Sequence, residues 1–309
     1  MGAILVTGGT GFIGSRLVRR LVAKGNRVRV MAVAGDPLLA NLDGVACEVV
    51  TGNIRRPETL AASTEGVKTV FHLAAVLYSD DPAAFRRINL EGTRNLVDAA
   101  VHARVPHFVY VSAAAAAYRV RTTYGETKHL AEQLMASPRE STQFTIVRPT
   151  LVFGPGGGGQ ELVKYVEQLK RSKPVVPMVG SGAAMKRWVF VDDLVEGLTL
   201  LVNQPISYGK VYNFGGADAH TMAEYTAMLC RRLGIARPVV RVPLPLCRAA
   251  ATLAGLVQKR PLLKRDTILG LTMDGDFDIE PARRELGYQP VAFEHWLFNC
   301  TAGDPFWDA

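Results

Sequence analysis

A phenol and an ammonium stand four residues apart in Tyr124-Gly125-Glu126-Thr127-Lys128. At that interval both side chains project from one face of a helix, where they can share a substrate. A free tyrosine, with a pKa near 10, is a poor base at neutral pH, but a nearby lysine charge and an oxidised nicotinamide would both favour the phenolate. Such a tyrosine exchanges a proton with a hydroxyl or carbonyl while hydride moves to or from the cofactor. On a surface helix the same two residues would be decoration. A second stretch, Thr7-Gly8-Gly9-Thr10-Gly11-Phe12-Ile13-Gly14, places glycines at 8, 11 and 14 between an apolar run and a helical pattern. A turn of this composition lets backbone N–H groups approach a diphosphate, and the helix N-terminus adds roughly half a positive charge toward the same anion. The spacing is one residue longer in its first interval than G-x-G-x-x-G. It predicts a bound dinucleotide; the alternative is a turn that merely closes a βα unit.

These residues need a scaffold, and the order of elements supplies one. Strands are predicted at Ala3 to Val6, Val28 to Val33, Ala46 to Val50, Val67 to Ala75, His107 to Val111 and Thr142 to Val147. Helices are predicted over Ser15 to Ala23, Pro82 to about His102, and from near Tyr124. Strands alternating with helices imply an α/β fold with a doubly wound, parallel, Rossmann-type sheet of about seven strands. Beyond Val152 the segment Gly154 to Gly159 reads as a lid or a linker. Helices follow at Gln160 to Arg171 and Leu194 to Asn203, with strands at Trp188 to Val191 and Val211 to Gly215, the last returning to the main sheet. The expected division is a dinucleotide domain of residues 1–152 plus 187–216, and a smaller, mostly helical C-terminal substrate lobe of 153–186 plus 217–309.

At the end of the second strand a carboxylate would bind the ribose of NAD, and an arginine would bind the phosphate of NADP. Val33 and Ala34 stand there and Asp36 comes slightly late, so the absence of a phosphate clamp favours NAD, with NADP possible. Asn53 reads either as an adenine contact or as a turn residue, and Ile54 accompanies it. The fourth strand ends in Leu73, Ala74 and Ala75, whose small terminal residues would admit a ribose. His72, within an apolar run, reads as a packed core histidine rather than a ligand.

Composition bounds the possibilities. The 309 residues are 48% hydrophobic, with a formal net charge of +8. From Arg231 to Arg265 there are nine Lys or Arg and no Asp or Glu; such a patch suits phosphates, an anionic membrane surface or an acidic partner. No zinc-finger or RNA-binding pattern occurs, so nucleic acid is not an expected partner, and no metal site is expected. No apolar run reaches the roughly 18 residues of a membrane helix, which leaves only peripheral membrane contact. The four scattered cysteines and the absence of a secretory signal pattern point to the cytoplasm.

Taken in order, the glycine turn, Asn89, the Tyr124/Lys128 pair, Arg148-Pro149, Trp188 to Asp193 and the closing Ala282 to Pro290 resemble the extended short-chain dehydrogenase/reductase superfamily of epimerases, dehydratases and sterol dehydrogenases. By that resemblance Tyr124 is the acid/base, Lys128 holds the nicotinamide ribose and lowers the tyrosine pKa, and Pro149 lies beside the nicotinamide. Gly8, Thr10, Gly11, Phe12, Ile13 and Gly14 hold the diphosphate. Asn53 stands where an Asp is usual. A Ser or Thr is expected one or two residues after Ser112, but Ala113 and Ala114 are there; Ser112, Thr122 or Thr123 would have to replace it. The resemblance therefore implies an NAD-dependent enzyme acting on a hydroxyl or keto group of a sterol-like, terpenoid or sugar-nucleotide substrate. The alternative it leaves open is a non-catalytic dinucleotide-binding module similar to the accessory subunit of respiratory complex I. Tyr78, Lys186 and Arg187 are assigned to the substrate side, the last two either as diphosphate contacts or as surface charges. Relatives usually dimerise through the helices near Pro82 to His102 and Tyr124 to Ala136, and Leu130 and Leu134 suit that seam.

Overall fold

The computed structural model describes residues 2–136, 141–155, 160–257 and 265–300. Strands Ala3–Thr7 (β1), Val28–Ala32 (β2), Glu48–Thr51 (β3), Val67–His72 (β4), His107–Val111 (β5) and Gln143–Pro149 (β6) join Val211–Phe214 in one sheet. Its order is Val211–Phe214, β6, β5, β4, β1, β2, β3, and every pairing is parallel. The chain runs outward from β1 to β3, then crosses back to β4. The topological switch thus lies between β1 and β4, where a ligand crevice opens beyond the C-terminal strand ends. The central strands β1 and β5 are buried along their whole length, as a parallel sheet covered on both faces requires.

Helix α1, Phe12–Ala23, turns Leu17, Val18 and Leu21 onto one face of the sheet. On the other face Leu96, Val97 and Ala100 of the Thr93–His102 helix pack with Leu5, Val70 and Phe108. The long helix expected from Pro82 to His102 is interrupted. Pro82–Phe85 and Thr93–His102 are α-helical, and Arg86–Gly92 between them is a π-helix. Asn89 sits in this wide turn, and its amide donates to the Val76 carbonyl and accepts from the Val76 N–H. The third strand begins at Glu48 and the fourth ends at His72, so Leu73 to Ala75 lie just past the sheet, on the crevice.

A separate core, built from Phe153, Leu162, Val166, Trp188, Tyr225, Phe293 and Trp296 among others, belongs to the C-terminal part of the chain. The Trp188–Phe190 strand pairs with Leu151–Phe153 and not with the main sheet. Residues 156–159 of the glycine-rich segment lie outside the described residues.

Candidate active site

The three glycines of the first turn differ in what they do. Gly8 has φ +69, and a Cβ there would meet the Ala74 nitrogen at 2.7 Å. The turn and the end of β4 therefore touch backbone to backbone, with the Leu73 N–H donating to the Thr7 carbonyl. A Cβ on Gly14 would collide with the Gly8 carbonyl, which seats α1 against the turn. At Gly11 the nearest atom to a Cβ is the Gly8 oxygen at 3.4 Å, an ordinary contact. Its side-chain direction is thus open toward the crevice. Gly11 is also the N-cap of α1, without a side-chain cap and with no acidic residue in the first turn. The bare N–H groups and the positive end of the helix form a cradle for a diphosphate, flanked by the half-buried Phe12 and Ile13.

Asp36, late for a ribose contact by sequence, accepts the Thr10 hydroxyl at 2.8 Å and the Leu38 N–H at 2.9 Å. A carboxylate beside the turn repels a further phosphate, which agrees with the expectation of NAD. The Asn53 amide oxygen accepts the Arg55 N–H, in a turn conformation, while Ile54 is buried and packs against Gly92.

Across the crevice, the Thr123–Gln133 helix begins at Thr122, whose hydroxyl accepts the Gly125 N–H. Gly125 allows this helix to press on the 3-10 turn Ala114–Ala117: a Cβ would lie 2.7 Å from the Ala115 carbonyl. Tyr124 is half-buried one turn from the buried Lys128. The Lys128 Nζ donates to the Val111 carbonyl at 2.7 Å and lies 4.4 Å from the centre of the Tyr110 ring. Burial pushes the Tyr124 phenol up to about 12 and the Lys128 ammonium down to about 7, the latter opposed by Glu132. Burial alone accounts for the shift of the phenol, which stays protonated through the neutral range.

Ser112 is not aimed at the crevice. Its hydroxyl donates to Glu132 Oε1 at 2.5 Å, and Glu132 receives Arg148 Nε and Nη2 at 3.0 and 2.6 Å. This triad, buried at Ser112 and Glu132 and half-buried at Arg148, ties the ends of β5 and β6 to the helix that carries Tyr124. Nothing in residue spacing pointed to Glu132, because its partners come from two separate strands. Pro149 ends β6 opposite Phe214, at the same sheet edge. Beneath the site His72 links the Thr7 and Thr93 hydroxyls at 2.6 and 2.9 Å, the core role expected of it.

The substrate-side residues divide. Tyr78 is exposed, with Lys164 Nζ 4.7 Å over its ring, and bridges the β4 loop to the Gln160–Arg171 helix. Lys186, expected to reach a diphosphate, is buried and donates to the Met273 carbonyl. Burial lowers it to about 8. Arg187 binds Asp276 at 2.7 Å and the carbonyls of Gly216 and Ala217. Both are spent on holding the 273–276 segment, a use that only the fold reveals.

A profile of the NAD dependent epimerase/dehydratase family matches residues 4–215. The chain belongs to that family. It is 28% identical to a 3 beta-hydroxysteroid dehydrogenase/Delta 5-->4-isomerase of Mycobacterium tuberculosis, over 94% of this chain and 87% of the relative. It is 29% identical to a ceramide reductase of Caulobacter vibrioides, over 79% of this chain and 74% of that one. Among solved structures it resembles the dTDP-glucose 4,6-dehydratase DesIV of Streptomyces venezuelae, determined with NAD bound, with a TM-score of 0.73 and 26% identity over 94% and 93% of the two chains. An enzyme of the oxidoreductase or epimerase kind is therefore the class to which this geometry belongs.

Proposed function

We propose that this family member binds NAD across the β1/β4 crevice and oxidises a hydroxyl, or reduces a ketone, on a largely apolar substrate of sterol-like or terpenoid kind. The bound cofactor would accept a hydride as NAD in the oxidation and give one as NADH in the reduction. The glycine turn and the N-terminus of α1 hold its diphosphate, and Leu73 to Ala75 leave room for a ribose. Lys128 binds a ribose hydroxyl, and Tyr124 moves the proton on the substrate oxygen.

The observation that carries the substrate class is the commitment of Lys186 and Arg187 to Met273, Asp276 and two carbonyls. A sugar nucleotide needs cations for its diphosphate, and these two are already engaged, whereas a sterol or terpenoid needs none. The hydroxysteroid dehydrogenase and ceramide reductase relatives support the same reading; the DesIV likeness keeps sugar nucleotides in the screen. The test is NAD reduction with hydroxysteroids, terpenoid alcohols and UDP- or dTDP-sugars, alongside Tyr124→Phe. Turnover of an apolar alcohol that falls at least ~100-fold in Tyr124→Phe supports the proposal. Turnover of a sugar nucleotide alone, or full activity in the variant, overturns it. The binding-module reading rests on Ala113 and Ala114 standing where the usual hydroxyl is expected, and the Ser112–Glu132 bond removes one candidate replacement; tight NAD binding with no turnover across the whole screen would favour it.

A further inference from the structure

Among its described side chains, the Leu244–Val257 helix buries a narrow stripe. Cys247 and Ala251 pack with Ile268 and the half-buried Val179, Val242 and Leu244. With that core complete, the opposite side remains in solvent: Leu246 is 61% and Leu253 64% exposed, and Ala249 and Ala250 between them are exposed too. Positions 246, 249, 250 and 253 fall on one helical face. The preceding Val239–Val242 strand also exposes apolar side chains, Val239 at 43% and Val240 at 44%, on opposite faces of the strand. Isolated exposed leucines are ordinary, but here four residues of one helix face are exposed together.

Its charge is one-sided. Arg241 and Arg248 are exposed on these same two elements, and the sequence from 231 to 265 contains nine basic residues and no acidic one. An exposed apolar helix face in a strongly basic stretch of chain, with Arg241 exposed on the adjoining strand, matches a bilayer interface, where acyl chains take the leucines and anionic headgroups take the cations. Among the described residues no helix is long and apolar enough to cross a membrane, so the helix, about 21 Å long at 1.5 Å per residue, lies in the plane of the surface. We propose that the exposed face of the Leu244–Val257 helix, beside the Val239–Val242 strand, docks reversibly on an anionic lipid membrane. This inference stands on the exposed leucines and the basic stretch and does not depend on the substrate class.

The full chain is sedimented with vesicles of phosphatidylcholine alone and of phosphatidylcholine with phosphatidylglycerol. The expected result is binding to the anionic vesicles that weakens with salt and is much reduced on neutral ones. Arg241→Ala should weaken it about fivefold. Leu246→Asp with Leu253→Asp should abolish it while thermal unfolding and NAD affinity stay at wild-type values, since both side chains lie in solvent. Equal binding to both kinds of vesicle, or unaltered binding by the leucine double variant, overturns the proposal. So does wild-type protein that stays in the supernatant; if light scattering then shows an oligomer that the leucine variant dissociates, the face is a contact between copies instead.

Discussion

At Gly11 a side chain meets no protein atom closer than 3.4 Å, so its effect falls on the ligand. Gly11→Val should keep the wild-type unfolding temperature within a few degrees and lose NAD binding by calorimetry. The same substitution at Gly8 or Gly14 would instead strike backbone and report only on folding. The second test concerns the missing hydroxyl. Ser112 is held by Glu132, and Ala114 is buried at the start of the turn that the Tyr124 helix presses on. If the reacting oxygen lacks a donor, Ala114→Ser should raise kcat by up to about 10² to 10³. An unchanged kcat would show that Thr122, whose hydroxyl accepts from Gly125 and keeps its own proton to give, or Thr123 already does this work.

Placement of the Tyr124 helix depends on its packing more than on its own sequence. The Thr123–Gln133 helix is a weakly amphipathic segment, fixed below by Glu132 with Arg148 and Ser112 and above by Gly125 against Ala115. Glu132→Gln keeps the shape but removes the buried charge, leaving the Arg148 guanidinium uncompensated. A loss of about 3 kcal/mol is expected, read as a lowered midpoint in urea with unchanged m. Because Glu132 also opposes the burial of Lys128, the same variant should lower the lysine pKa further. Such a shift would displace the acid limb of the pH–rate profile, which a purely structural loss would not do.

Two buried histidines make the molecule sensitive to mild acid. Burial holds His72 at about 3 and His107 at about 4, against 6.5 in the unfolded chain. Below pH 6.5 the unfolded state takes protons that the folded state refuses, so stability falls as pH drops toward those folded values, by up to about 1.4 kcal/mol per pH unit for each histidine. Unfolding midpoints measured from pH 7 to 4.5, above the carboxylate range, should decline steadily, and His107→Gln should flatten about half of the slope. We also propose a homodimer through the Thr93–His102 and Thr123–Gln133 helices. Leu130 and Leu134 are only half-buried against the monomer core, leaving part of each for a seam. Light scattering at micromolar concentration should give twice the chain mass, and a monomer there would remove the proposal.

Local pattern carried most of the sheet. Strands such as His107–Val111 and the return of Val211–Phe214 to β6 were readable because alternating βα units with apolar strands admit few arrangements. The glycine turn and the Tyr124/Lys128 pair were legible because each is compressed within eight residues, where type and spacing are already geometry. Contacts distant in sequence were not legible. Asn89 clamping Val76 within a π-helix, Ser112 captured by Glu132, and Lys186 and Arg187 drawn onto residues 273–276 each depend on two segments meeting. A serine or an arginine reads as reactive or exposed by type alone; only packing decides whether another side chain has already taken its hydrogen bonds. The pKa of Tyr124 follows the same rule, since the phenol is visible in the sequence and the burial that raises its pKa is not.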